Sequence, residues 1–304
     1  MSVRDTGAAT YPFREVPLGG QRALMVRRTL PNRDVRTIGA FCFVDHYGPA
    51  STAAPTGNPM VVPPHPHMGL QTVSWLLSGT IDHHDSVGSI QRVRPGELNL
   101  MTAGRGIAHS EYSVGDAPLH GVQLWVALPD ASRQHTPHFE HHGELPAMED
   151  SGLRARVIMG SLMEETSKAS TYSPIVCAEL TLGPGQHRIG LLAGFEHGWL
   201  PLTDAAVVNG ALVARGQLRH EPEGQSSATL EAERPVQVLM LGGEPFAEDL
   251  LMWWNFVGRT HEEIVQARDD WQHGRRFGAV LDDGAAPLPA PDLPTVRLKP
   301  RSRS

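Results

Sequence analysis

The spacing of turns constrains this chain more than any other feature. Short apolar or alternating segments recur along it, punctuated by Gly, Pro or Asp about every 8–12 residues, a rhythm that suits an all-β sandwich or barrel. Residues 23–28 (ALMVRR) and 38–44 (IGAFCFV) read as strands, the second ended by a turn over residues 45–49. A loop rich in Pro and small residues is expected over 51–64. Alternating strands follow at 70–77, 90–93, 98–102, 107–111 and 121–128, with turns at Ser78-Gly79-Thr80, near Gly88, at Arg94-Pro95-Gly96-Glu97 and at Ala103-Gly104-Arg105-Gly106. The pattern lapses over 129–152, a polar stretch read as a solvated loop. It resumes at 155–159, 175–182, 205–209 and 236–241. With 31 Gly and 25 Pro against 19% charged residues, the composition agrees with many turns and short elements.

Within this pattern, His65 and His67 stand two residues apart, and so do His109 and Glu111. Residues two apart on a strand share a face. Two such strands lying close would bring three imidazoles and a carboxylate to one point, with room for water or substrate. A mixed nitrogen and oxygen set of this kind suits Fe, Mn, Co, Ni, Cu or Zn better than Mg or Ca. Gln71, Val73, Trp75 and Leu77 share the parity of His65 and His67. If the strand is continuous they face the same interior, Trp75 as core and Gln71 beside the metal. His83, His84 and Asp85 lie in a turn-rich stretch and either line the barrel mouth or are simply solvated, the solvated reading being the favoured one. His135, His138, His141 and His142 fit no common face and read as loop residues, and His187, His197 and His220 are scattered. The second half therefore offers no paired ligands, and one metal per chain is expected.

The 304 residues allow about two domains. A formal net charge of -7 argues against a nucleic-acid surface. No apolar run reaches the roughly 20 residues that span a bilayer, and residues 1–16 lack the apolar core of a signal peptide. Cys42 and Cys177 are far apart, so a disulfide framework is not expected and a reducing cytoplasm fits. Near the end, Thr260-His261-Glu262-Glu263 forms a capping-box pattern. It opens a helix to about Gln272, with Ile264, Val265, Arg268 and Trp271 near one side. An extended, partly mobile tail rich in Ala and Pro is expected from residue 284.

Three runs, HPHMGLQTVSWLLSG from His65, PGELNLMTAGRGIAHSE from Pro95 and GVQLWVALP from Gly121, resemble the first cupin domain of the pirins. GGEPFAEDLLMWWNFVGRTHEEIVQARDDW, from Gly242, resembles their C-terminal segment. The resemblance implies a bicupin, two jelly-roll β-barrels packed together with a short C-terminal helix. Its parts would be an N-terminal metal-binding cupin over residues 1–140, a C-terminal cupin without a metal motif over 141–250, and the helix and Pro-rich tail over 251–304. It also implies one metal, usually iron, on His65, His67, His109 and Glu111. Two functions follow from it. One is a quercetin 2,3-dioxygenase-type oxidoreductase acting on a flavonol-like molecule, with Glu111 available to detach or to take the substrate proton. The other is a non-enzymatic regulatory protein in which the metal acts as a redox sensor and a protein partner responds. Pirins commonly carry Arg-Gly-Phe-Glu-Thr after the second His of the pair. Here the run is Met68-Gly69-Leu70-Gln71-Thr72, which lacks both the cation and the carboxylate.

Overall fold

A computed structural model describes residues 7–18, 24–49 and 60–302. Most of the Pro-rich loop expected over 51–64 falls outside them, as do Ala23 and Arg303. Strands make up nearly all of the regular structure of the described chain, joined by turns and loops, with one 12-residue α-helix, His261–Gln272. It divides into two compact units: residues 1–14, 27–44 and 144–246 form one, and residues 15–26, 45–143 and 247–304 the other.

In the first unit a sheet runs in the order Ala9–Tyr11, Leu218–Glu221, Glu196–Pro201, Val236–Gly243, Ile175–Leu182, Leu153–Leu162, Ala147–Asp150. A four-stranded sheet runs in the order Gly185–Gly190, Ser227–Ala232, Ala206–Val208, Ala211–Val213. Alternate residues of these strands, among them Val157, Ala178, Leu180, Ile189, Trp199, Val208, Leu230 and Val238, make one apolar core. The first described strand reaches far along the sequence, with Ala9 opposite His220 and Tyr11 opposite Leu218.

The second unit has a four-stranded sheet in the order Val61–His67, Ile107–Ser113, Ile81–Asp85, Ile90–Val93. Its other sheet places His138–His142, Leu98–Thr102, Leu70–Ser78 and His120–Ala127 side by side. Leu76, Ile81, Val62 and Val93 join Leu24, Val26 and Tyr47 in a core at one end. Among the described residues the sheets within each unit do not join into one closed cylinder.

Several local expectations shift. The second early strand runs over Phe41–Tyr47, and the turn expected at Asp45 falls at Gly48 instead. Asp45 and His46 are buried strand residues, with His46 Nε2 3.0 Å from His120 Nε2. Gly48 has φ +71 and sits so close to Leu119 that a Cβ would lie 2.0 Å from its carbonyl oxygen. The polar stretch over 129–152 is not all loop. His138–His142 pairs with Leu98–Thr102, and Ala147–Asp150 pairs with Leu153–Leu162. His197 and His220 are not scattered but lie on paired strands, and His220 Nε2 is 3.1 Å from the buried Glu196 carboxylate.

The helix starts where its capping pattern places it, with Thr260 Oγ1 accepting from the Glu263 N–H at 3.2 Å. Glu263 reaches back to the Arg259 N–H at 2.7 Å, one residue before the cap. The buried positions are Ile264, Ala267 and Asp270, while Val265 is exposed. The segment after the helix is extended but anchored. Trp271 Nε1 donates to the Leu288 carbonyl, the Leu288 N–H donates to the Pro64 carbonyl at 2.8 Å, and Leu250 and Arg301 exchange backbone hydrogen bonds.

Candidate metal centre

The Val61–His67 strand carries consecutive prolines at 63 and 64, which cannot donate to a strand ladder. The pairing with Ile107–Ser113 accommodates them with a bulge. His67 lies opposite Ile107 and His65 opposite His109, but Glu111 lies opposite Val62. The register thus puts His65, His67, His109 and Glu111 on one face of the sheet. The side chains of His65, His67 and His109 come together, each offering a ring nitrogen within 4.8 Å of the others. His109 also belongs to an overlapping group with Glu111 and His83. All five are buried.

The chain leaves this sheet at Gly69, which has φ +75 and lies so near Val257 that a Cβ would be 2.0 Å from its carbonyl oxygen. Only glycine fits such a turn. Beyond it Leu70–Ser78 belongs to the other sheet, so the two strands are not continuous and parity does not carry across. Ser74 and Gln123 face Glu111. Ser74 Oγ donates to one carboxylate oxygen and Gln123 Nε2 to the other, both at 2.9 Å. Gln71, an odd number of residues from Ser74, points to the opposite face, where its amide donates to Thr102 Oγ1 at 2.9 Å. The expectation that Gln71 stands beside the metal is therefore overturned. Trp75 is fully buried on that same opposite face. At position 68, where the family commonly carries a cation, Met68 Sδ lies 3.3 Å from Arg276 Nη1, a guanidinium paired with Asp270.

The reading of His83 and Asp85 as solvent-exposed is also overturned. In the Ile81–Asp85 strand, residues 81, 83 and 85 are buried while Asp82 and His84 are only partly so. Asp85 lies opposite His109, and His83 opposite Glu111. His83 Nδ1 is 3.3 Å from His109 Nδ1, and His83 Nε2 is 3.2 Å from Asp85 Oδ2. Phe139 stacks on His83 at 4.6 Å between centroids, and Trp125 meets His67 edge-on at 5.1 Å. The alternation of IDHHD was the available signal, but a polar strand flanked by turns reads the same as a wet loop.

Burial is the first cause holding His65, His67 and His109 below the ordinary imidazole value, well below it for the last two. Neighbouring imidazoles push the same way. For His65 the Pro63 carbonyl and the Glu111 charge oppose it. Burial pushes Asp85 up, but hydrogen bonds from His83 and Ser89 outweigh it and leave the carboxyl below its usual range. The rings are thus neutral at neutral pH, with lone pairs to offer. His65 Nδ1 donates to the Pro63 carbonyl at 2.9 Å, which leaves Nε2 free. His109 Nε2 is buried without a protein partner. An orphaned imidazole nitrogen, two further imidazoles and a carboxylate form a donor set that fits a divalent transition metal.

The comparisons with known proteins agree on the family. The model of the pirin family, described as Pirin, matches residues 23–126, and that of the Pirin C-terminal cupin domain matches residues 177–278. A Pseudomonas aeruginosa protein provisionally named a quercetin 2,3-dioxygenase is 40% identical over 284 residues, covering 92% of this chain and 89% of its own. A crystal structure of quercetin 2,3-dioxygenase from Acinetobacter baumannii superposes with a TM-score of 0.91 at 40% identity, over 96% of this chain and 97% of the other. A bacterial pirin from Escherichia coli, solved in complex with nickel(II), shares the fold with a TM-score of 0.61 at 17% identity, over 78% of this chain and 99% of that one. With both domain models matched in order and relatives similar along nearly its whole length, this chain belongs to the pirin family and carries its two cupin domains.

Proposed function

We propose that the protein holds one divalent transition metal, iron before Mn, Ni, Cu, Co or Zn, on His65, His67, His109 and Glu111, and acts as a quercetin 2,3-dioxygenase-type oxidoreductase on a flavonol-like substrate. The convergence of three imidazoles held in their neutral form on one buried point carries this reading. The similarity to the Acinetobacter baumannii enzyme supports the substrate class. When bound, the metal supplies Lewis acidity toward a deprotonated aromatic hydroxyl and the redox capacity that reaction with oxygen requires.

The chain's own residues do the rest. His65 presents Nε2 because its other nitrogen is tied to the Pro63 carbonyl. Ser74 and Gln123 hold the two oxygens of Glu111, so the carboxylate is aimed before substrate arrives. Glu111 takes the proton of the flavonol hydroxyl, and Trp125 and Phe139 keep the imidazoles from turning.

The test is oxygen uptake and quercetin absorbance by metal-loaded protein, in air and under nitrogen. Oxygen-dependent bleaching above that of the same metal in buffer is expected, cut about 10²–10⁴-fold in Glu111→Gln at matched metal content. A wild-type rate no greater than free metal would end the enzyme reading and leave the non-enzymatic one, a metal or redox sensor acting through a protein partner.

A further inference from the structure

Resting on the reading of His109 as a metal ligand, we propose that Asp85 and His83 are positioning residues, a relay that fixes which nitrogen of His109 faces the metal. The assignment follows proton by proton. Asp85 is fully buried, and its Oδ1 accepts from the Val87 N–H at 3.0 Å and the Ser89 N–H at 2.9 Å. Its Oδ2 faces His83 Nε2 at 3.2 Å. An ionised carboxylate only accepts, so a neutral His83 carries its single proton on Nε2. His83 Nδ1 is then a lone pair, and it lies 3.3 Å from His109 Nδ1. Two lone pairs cannot share that contact, so His109 carries its proton on Nδ1. A neutral imidazole protonated there has a bare Nε2, which is the buried nitrogen without a protein partner. Each partner fixes the next, from a turn of backbone amides to the metal-facing atom.

The relay also gives His83 a role distinct from ligation. His83 is close enough to His109 and Glu111 to be counted in a metal-binding group. Yet both its nitrogens are engaged, one by Asp85 and one by His109, and its ring is stacked on Phe139. It braces a ligand and does not add one.

Asp85→Asn tests this directly, because the amide reverses the relay. The Val87 and Ser89 N–H groups hold the Asn oxygen, so its NH₂ turns to His83 Nε2. His83 then donates from Nδ1, and His109 is driven to carry its proton on Nε2, the atom the metal needs. In zinc-free protein, imidazole ¹⁵N shifts should show His109 changing tautomer. Zinc affinity, measured by chelator competition, should fall about 10–100-fold. His83→Ala breaks the relay without reversing it, so its loss should be smaller, and His83→Gln should regain affinity because its amide oxygen can accept from His109 Nδ1–H. If Asp85→Asn does not fold, the His83→Ala and His83→Gln pair decides.

An unchanged His109 tautomer with wild-type zinc affinity in Asp85→Asn overturns the proposal. So does equal affinity in the two His83 variants. Wild-type zinc binding by His109→Ala overturns the ligand reading instead. The tautomer measured without zinc tells the two failures apart.

Discussion

His65 and His109 lie directly opposite one another, and each is expected to be indispensable to the metal. His65→Ala or His109→Ala should lose most bound metal on purification, read by elemental analysis. His141→Ala should not, because that ring bonds Asn99 Oδ1 on a neighbouring strand pair. Gln71→Glu should leave metal content and turnover unchanged, since the side chain faces away from Glu111. It should instead destabilise the fold, because it puts a carboxyl at a fully buried position and removes the amide that donates to Thr102 Oγ1, and urea denaturation measures that directly. The two i, i+2 pairs were readable because their parity is strictly local. Gln71 was misplaced because a single glycine resets the parity, and nothing in the run HMGLQ marks Gly69 as a switch between sheets. His83 was missed because its burial depends on pairing with Ile107–Ser113, a partner more than twenty residues on.

At the scale of elements, the turn at Gly69 and the cap at Thr260 are the sharpest tests. Gly69→Ala must place a Cβ 2.0 Å from the Val257 carbonyl at a φ of +75. It should cost more than about 1 kcal/mol and displace His67 two residues away, seen as lower Tm together with lower metal content. Thr260→Ala removes only the cap on Glu263 and should cost about 1 kcal/mol with the metal site intact. The helix was legible nearly to the residue because its start signal and length are written locally. The strand at His138–His142 was not, since its four histidine and glutamate residues lack apolar alternation and the Leu98–Thr102 ladder holds it in place.

For the whole molecule, pH and metal should act together on stability. His65, His67 and His109 all have values depressed below 6.5, so the unfolded chain takes up protons there that the folded chain refuses. Metal-free protein should therefore be most stable above about pH 6.5. Below it, stability should fall by up to about 1.4 kcal/mol per pH unit for each histidine, visible as a falling urea midpoint between pH 7 and pH 5. Adding metal at about a hundred times its Kd should return about 2.7 kcal/mol. The all-β class and the twofold repetition of strand patterns were legible from turn spacing. The pairing of Ala9–Tyr11 with Leu218–Glu221 was not, because no local pattern relates strands some two hundred residues apart.

The hydrogen bond from Leu288 to Pro64 bears on the order in which the molecule is made. Val61–His67 is the outermost strand of its sheet, and an uncovered strand edge is a template for pairing with other chains. Here the cover comes from Phe256–Gly258, bridged to Met68, and from the Leu288 amide, all emerging from the ribosome long after His65 and His67. Until then Pro63 and Pro64, which offer no amide hydrogen, are that edge's own defence against intermolecular pairing. A nascent or clipped chain ending before residue 250 should therefore self-associate through the histidine strand, and light scattering on such a fragment should rise further when both prolines are replaced by threonine.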